Sequence, residues 1–245
     1  MTHIFANWKM YLTHKETIIL AKELKENLPD SSTSLAVFPS MLSAVGVLDE
    51  LKDTEISVGA QNVAWTPSGA YTGAVSAVLC KEVGTNYALV GHSERRHVFG
   101  ESNEVVRKKL EACLDAGIIP VLCIGETKED LDAGKKEYRI KKQLMKALDG
   151  LKIPESGFFI AYEPVWAIGT GEHCMPEDVH EIHTFIKEEL KQYTDKQIPL
   201  LYGGSVTDEN VVSYTMLGSV DGVLVGGAST TYDSFISLIR AVDES

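Results

Sequence analysis

The apolar run Phe158-Phe159-Ile160-Ala161 reads as a buried strand, and it closes on Tyr162-Glu163-Pro164, a carboxylate followed by proline. Proline cannot continue a strand ladder and holds the residue before it extended, so Glu163 is presented at a strand tip. A carboxylate placed there is a candidate general base. The residues after it, Val165-Trp166-Ala167-Ile168-Gly169-Thr170-Gly171, are too polar for a core strand and too apolar for a solvated loop. That mixture suits a hinged lid closing over a small polar ligand, with the base at its root. A lone glutamate before proline does no more than solvate a strand tip. Here it is not alone.

Other apolar runs also end in unusual polar groups: Asn7-Trp8-Lys9, Gly91-His92-Ser93-Glu94-Arg95-Arg96, Tyr202-Gly203-Gly204-Ser205 and Gly226-Gly227. Singly each is ordinary, because a lysine caps strands, a histidine after glycine is often structural, and glycine pairs turn the chain. Together they make a chemical set. Lys9 is a mobile cation, and Asn7 is a neutral amide that can orient it. His92 precedes a helical start at Ser93-Glu94, a position that disfavours the imidazolium and leaves a neutral ring able to donate to a carbonyl. The Gly203-Gly204-Ser205 and Gly226-Gly227 turns expose backbone N–H groups to an anion, and a helix beginning just after Gly227 would add its positive end. With Glu163 as base, the set describes proton abstraction next to a carbonyl on a small phosphate ester. No nicotinamide, flavin or metal motif accompanies it, so no cofactor is expected.

The elements that must hold these residues alternate along the whole chain. Strands are predicted over Ile4–Trp8, Leu35–Phe38, Ile56–Ala60, Tyr87–Val90, Ile119–Ile124, Phe158–Tyr162, Pro199–Tyr202 and Gly222–Val225. Helices are predicted over Lys15–Asn27, Asn103–Ala116, Glu129–Leu148, Pro176–Tyr193 and Asp208–Met216, with Ser102 and Thr207 as N-caps. Apolar strands without clean alternation, each followed by a helical stretch, predict a parallel sheet covered by helices. Strand–helix units filling 245 residues match a single closed eight-stranded (β/α)₈ barrel over residues 1–245. A doubly wound open sheet would want a glycine fingerprint after its first strand, which is absent. In a barrel, every polar group named above faces one mouth.

Composition narrows the partners. The formal net charge of −12, without any basic run, argues against nucleic acid and anionic membranes. A phosphate must therefore be held by local devices against the global field. Met1–Asn7 lacks both a basic and an apolar targeting region, and the cysteines at 80, 113, 123 and 174 show no metal spacing. Reduced thiols in a cytoplasmic protein without a bound metal are expected.

The motifs in this order resemble the triosephosphate isomerase family over essentially the whole chain. The resemblance rests on Asn7-Trp8-Lys9-Met10, Val58-Gly59-Ala60-Gln61-Asn62, Gly69-Ala70-Tyr71-Thr72-Gly73 and Gly91-His92-Ser93-Glu94-Arg95-Arg96. It continues through Cys123-Ile124-Gly125-Glu126, the lid segment after Glu163, Tyr202-Gly203-Gly204-Ser205-Val206 and Asp221–Gly227. The general pattern of a glutamate base, a neutral histidine and a closing loop is itself illustrated by this family. The resemblance implies interconversion of dihydroxyacetone phosphate and glyceraldehyde 3-phosphate through an enediolate, in glycolysis and gluconeogenesis. It implies Glu163 as the proton shuttle, His92 and Lys9 polarising the oxygens, Asn7 assisting and Glu94 as a network carboxylate. It further implies phosphate held by N–H groups of Gly169, Ser205, Gly226 and Gly227, a packing role for Cys123, and a homodimer joined through the loop Gln61–Ser76. That loop carries Trp65 and Tyr71, more apolar surface than a solvated excursion needs.

Three positions depart from the family's common pattern: Tyr11, Ala74 and the triplet Glu172-His173-Cys174 at the second lid hinge. The residues leave two other readings open. One is a different phosphate-binding barrel, although a Schiff-base aldolase would want lysine where Glu163 stands. The other is a barrel that has lost catalysis, although Lys9, His92 and Glu163 all remain.

Overall fold

The computed structural model describes residues 1–29, 31–168 and 173–245. Eight strands pair in parallel and close into a barrel in sequence order. They are β1 His3–Asn7, β2 Ser34–Phe38, β3 Ser57–Ala60, β4 Tyr87–Val90, β5 Ile119–Ile124, β6 Phe159–Tyr162, β7 Leu200–Tyr202 and β8 Gly222–Val225. Closure comes from β1 against β8, with His3 opposite Gly222 and Ala6 opposite Val225. Each predicted strand is present, with ends shifted by about a residue, as terminal hydrogen bonds fray.

The barrel wall carries two cores because successive side chains point to opposite faces. Phe5, Phe38, Leu89, Cys123, Ala161 and Leu224 belong to the group that fills the interior. Ile4, Ala6, Val37, Val90, Ile160 and Val225 pack in the layer shared with the helices. Gly59 makes room inside, since a β-carbon there would overlap the Phe38 ring.

The helices are α1 His14–Asn27, α2 Met41–Leu51, α3 Ala77–Val83, α4 Ser93–His97, α5 Asn103–Asp115, α6 Lys128–Asp132, α7 Lys136–Leu148, α8 Pro176–Leu190, α9 Val211–Thr215 and α10 Tyr232–Asp243. Ser102 caps α5 as expected, accepting the Val105 N–H at 3.3 Å. The single helix expected over Glu129–Leu148 is two. Thr127 and Asp130 form a capping box that starts α6, and Gly134 at φ 65° ends it. Arg139 then grips Asp130 through Nε and Nη2, at 2.7 and 3.0 Å, and fixes the angle between the two pieces. The helix expected from Asp208 starts three residues later. Asn210, not Thr207, organises its entry by accepting the Thr207 N–H at 2.9 Å and donating to the Ser205 carbonyl at 3.1 Å. No described helix is long and apolar enough to cross a membrane.

On α8, His183 is fully buried edge-on to the Tyr162 ring. Its Nδ1 lies 3.3 Å from the Ser219 carbonyl, so the proton is assigned to Nδ1, and Nε2 has no partner among the described residues. Burial, with smaller repulsions from Lys187 and His180, pushes its pKa down to about 3. The folded chain therefore keeps this ring neutral while an unfolded chain takes up a proton below pH 6.5. Its contribution is undiminished above pH 6.5 and is lost progressively as pH falls towards the folded value, at up to about 1.4 kcal/mol per pH unit. We expect His183→Phe to lose less stability than the parent between pH 7 and pH 5, measured by urea unfolding. Parallel losses for the two proteins would refute this assignment.

Candidate active site

The C-terminal ends of the strands surround a cavity of about 220 Å³ lined by Asn7, Lys9, His92, Glu163, Ser205, Gly226 and Gly227 among others. These are the sequence-predicted residues, gathered from β1, β4, β6, β7 and β8. Gly169 lies outside the described residues, as do Thr170, Gly171 and Glu172 of the lid and its second hinge. Glu94 sits at the rim and reaches the site through its neighbours.

Lys9 is the only non-glycine residue with positive φ, 48°, among the described residues. Such a backbone persists where the surroundings impose it. Here the Lys9 N–H donates to Asn7 Oδ1 at 3.1 Å, and Gln61 Nε2 donates to both the Lys9 and Phe38 carbonyls, at 2.8 and 2.9 Å. Asn7 thus orients the lysine from one side and Gln61 from the other. Lys9 Nζ pairs with Glu94 Oε1 at 2.9 Å. That contact makes Glu94 a counter-ion at the mouth.

His92 caps α4, and its Nδ1 accepts the Glu94 N–H at 3.3 Å. That hydrogen bond assigns the ring proton to Nε2 and the neutral tautomer to the ring. Nε2 lies 3.2 Å from Glu163 Oε1. Glu163 is 2% exposed, and its other oxygen accepts the Ser93 N–H at 2.7 Å. One carboxylate oxygen is therefore tied to β4's exit turn and the other to the imidazole. Beneath it, Arg96 donates to the carbonyls of Gly91 and Cys123, at 2.7 and 3.0 Å, and locks β4 to β5. The Cys123 thiol is raised well above its ordinary range by burial and by the Glu163 charge, so it stays neutral and packs.

The other side of the cavity is backbone. The N–H groups of Ser205, Gly226 and Gly227 donate to no acceptor among the described residues. The helix expected directly after Gly227 is instead a 3₁₀ turn, Gly227–Ser229, and α10 begins at Tyr232. Ser229 Oγ donates to the Gly226 carbonyl at 2.7 Å and Thr230 Oγ1 to that of Gly227 at 2.7 Å. Those side chains satisfy the carbonyls a helix would have used and hold the turn tight. These N–H groups thus stand at the start of a single 3₁₀ turn rather than of an α-helix.

The start of the segment that follows Glu163 is also fixed. Trp166 Nε1 and the Tyr162 hydroxyl donate to Glu126 Oε1 at 2.8 and 3.1 Å, and burial raises the Glu126 pKa. Gln61 and Glu126 went unassigned in the sequence, although both follow strand ends, the same signal that exposed His92 and Glu163.

A closed parallel barrel with a base, a neutral imidazole, a cation and free turn N–H groups at its C-terminal mouth defines an enzyme class: a barrel acting on a small anionic carbonyl compound. Comparison with known proteins is specific. The triosephosphate isomerase family model matches residues 2–242. The triosephosphate isomerase of Aquifex aeolicus is 42% identical over 240 residues, covering 96% of this chain and 97% of that protein. Those of Dictyoglomus thermophilum and Chlamydia muridarum are 39% and 40% identical, covering 97% and 98% of this chain and 98% and 90% of theirs. The chain belongs to the triosephosphate isomerase family, a family of isomerases.

Proposed function

We propose that this chain, acting as one barrel domain over residues 1–245, interconverts dihydroxyacetone phosphate and D-glyceraldehyde 3-phosphate. The observation that carries the reading is the convergence on one cavity of Glu163, neutral His92, Lys9, Asn7 and three free N–H groups. Phosphate on the N–H groups of Ser205, Gly226 and Gly227 orients the carbon chain towards Glu163. The carboxylate leaves the Ser93 N–H, removes the proton next to the carbonyl and returns it to the neighbouring carbon. His92 Nε2–H and the Lys9 ammonium stabilise the oxygens of the enediolate as their charge develops, and His92 gives its Nε2 proton to the former carbonyl oxygen and takes one back from the neighbouring hydroxyl, which becomes the new carbonyl. Asn7 positions Lys9, and Glu94 balances its charge. These side chains supply every group the reaction uses, so the proposed catalysis runs without a cofactor. A coupled assay with purified protein and glyceraldehyde 3-phosphate tests it; absence of turnover above the buffer rate would sink the proposal.

The same reading proposes a homodimer. Trp65 and Tyr71 are 43% and 46% exposed and pack edge-to-face on each other, on a loop braced by the Ala64 N–H to Val75 carbonyl bond. Met10, Leu42, Val45 and Leu79 are further exposed apolar residues that a second copy would cover. We expect Thr72→Arg, at the tip of that loop, to shift the protein towards monomer in sedimentation and to lower activity in parallel. A fully active monomer at assay concentration would overturn the dimer. Four buried, unpaired thiols at 80, 113, 123 and 174 support a reducing, cytoplasmic setting, and the proposed substrates place the reaction in glycolysis and gluconeogenesis.

A further inference from the structure

On the buried face of α7, Gln143 stands among Ile140, Leu144, Ala147 and Leu148. An amide in an apolar layer costs free energy unless both of its ends are hydrogen-bonded. Both are, and to a single residue. Oε1 accepts the Gly125 N–H at 2.9 Å, and Nε2 donates to the Gly125 carbonyl at 3.0 Å. An apolar side chain of the same length would fill the space without that cost, so the amide is there for Gly125.

Gly125 lies one residue past the end of β5, where the sheet runs out on one side. The register pairs Val90, the last residue of β4, with Leu122. Beyond that pair β5 has no strand partner on this side among the described residues, and side chains take over. Arg96 holds the Cys123 carbonyl at 3.0 Å, and Gln143 holds both peptide groups of Gly125. On the other side the chain leaving β6 stays paired. The Glu163 N–H donates to the Ile124 carbonyl at 2.7 Å, and the Val165 N–H to the Glu126 carbonyl at 3.0 Å. Gly125 sits between those two bonds, so close to β6 that a β-carbon on it would overlap the Glu163 carbonyl oxygen. The backbone of the base is carried by the tip of β5, and that tip is carried by Gln143.

We propose that Gln143 is a positioning residue for the isomerisation, its amide standing in for the strand that β4 no longer supplies and so fixing the backbone from which Glu163 reaches the substrate. The proposal rests on the isomerase reading above. Gln143 does not line the cavity, so it acts on the reaction through Gly125 and the strand beside it. A displacement of about 1 Å at a reacting group costs on the order of 10²-fold in rate. The turn N–H groups proposed for the phosphate follow β7 and β8, across the cavity, and none of them bonds to Gln143. Loss of the amide is therefore expected to lower kcat and to leave anion binding in place.

The test compares folded Gln143→Met with the parent full-length protein, because methionine keeps the length of the side chain and removes both hydrogen bonds. kcat is expected to fall at least about tenfold, with KM and the inhibition constant of inorganic phosphate each within about twofold of the parent. Leu148→Ala, on the same buried face of α7, supplies the contrast. It is expected to lower the melting temperature at least as far, through the cavity it leaves, and to keep kcat within about twofold. A Gln143→Met protein that melts earlier but keeps kcat within about twofold would make Gln143 a packing residue and overturn the proposal. Equal losses of kcat in the two variants would do the same. Hydrogen exchange of the parent supplies a measurement that depends on no variant folding. The Gly125 amide is expected to exchange no faster than global unfolding allows, and exchange at least about a hundredfold faster overturns the anchoring. Failure of the parent to isomerise at all would count against the proposed function, and the exchange result would still stand for or against the anchoring.

Discussion

Glu163→Gln is expected to reduce kcat by at least the roughly 10²–10⁴-fold that a positioned general base contributes, while the barrel stays folded. The amide keeps the length and shape of the carboxylate but cannot take the substrate's proton. It also has one acceptor where the carboxylate has two. Its oxygen can serve the Ser93 N–H, 2.7 Å from Glu163 Oε2, but its NH₂ then meets the donor at His92 Nε2. That mismatch lowers the melting temperature slightly and is relieved by a small rotation of either side chain. The turn N–H groups proposed to hold the phosphate lie across the cavity, so KM is expected to move little compared with kcat. The decisive comparison is kcat for the folded variant measured in both directions. More than about a tenth of parental kcat would mean that another group abstracts the proton.

Much of this arrangement is written in the sequence because two simple periodicities set it. Apolar runs such as Tyr87–Val90 and Gly222–Val225 have no alternative to a wall buried on both faces, and a barrel sends all their polar ends to one mouth. Asn7, Lys9, His92 and Glu163 are legible for that reason, and so are the paired glycines that line the cavity opposite them. What stayed hidden depends on contacts between residues remote in sequence. The left-handed backbone of Lys9 exists because Gln61, just past the end of β3, holds its carbonyl. The hydrogen bond from the Tyr214 hydroxyl to the Cys174 carbonyl joins positions 40 residues apart and leaves no periodic mark. Helix ends failed where a side chain overrode propensity. Asp130 and Gly134 divide a stretch that reads as continuous helix, and Asn210 delays α9 past a threonine that looks like a cap. The helix expected behind Gly227 yields to a turn because Ser229 and Thr230 take its carbonyls locally.

Gly125→Ala is expected to cost nearly as much activity as loss of the base, although residue 125 touches no substrate. A β-carbon at that position would overlap the Glu163 carbonyl oxygen and lie 2.6 Å from its carbon. Neither strand can yield easily. The Glu163 N–H donates to the Ile124 carbonyl at 2.7 Å, and the Val165 N–H to the Glu126 carbonyl at 3.0 Å, on either side of the overlap. Gln143 grips Gly125 from the helix layer through both of its peptide groups, at 2.9 and 3.0 Å. The added methyl must therefore push the tip of β6 away from β5, and Glu163 moves with it. Overpacking of this kind costs about 1–3 kcal/mol of stability. An ångström of displacement at a reacting group costs on the order of 10²-fold in rate. Gly218→Ala is the informative contrast, because a β-carbon there would meet nothing within 4 Å. We expect kcat of folded Gly125→Ala to fall at least about a hundredfold and that of Gly218→Ala to stay at the parental level. If Gly125→Ala keeps kcat within about tenfold of the parent, the barrel tip is soft and the position of Glu163 is set by the substrate rather than by the strands.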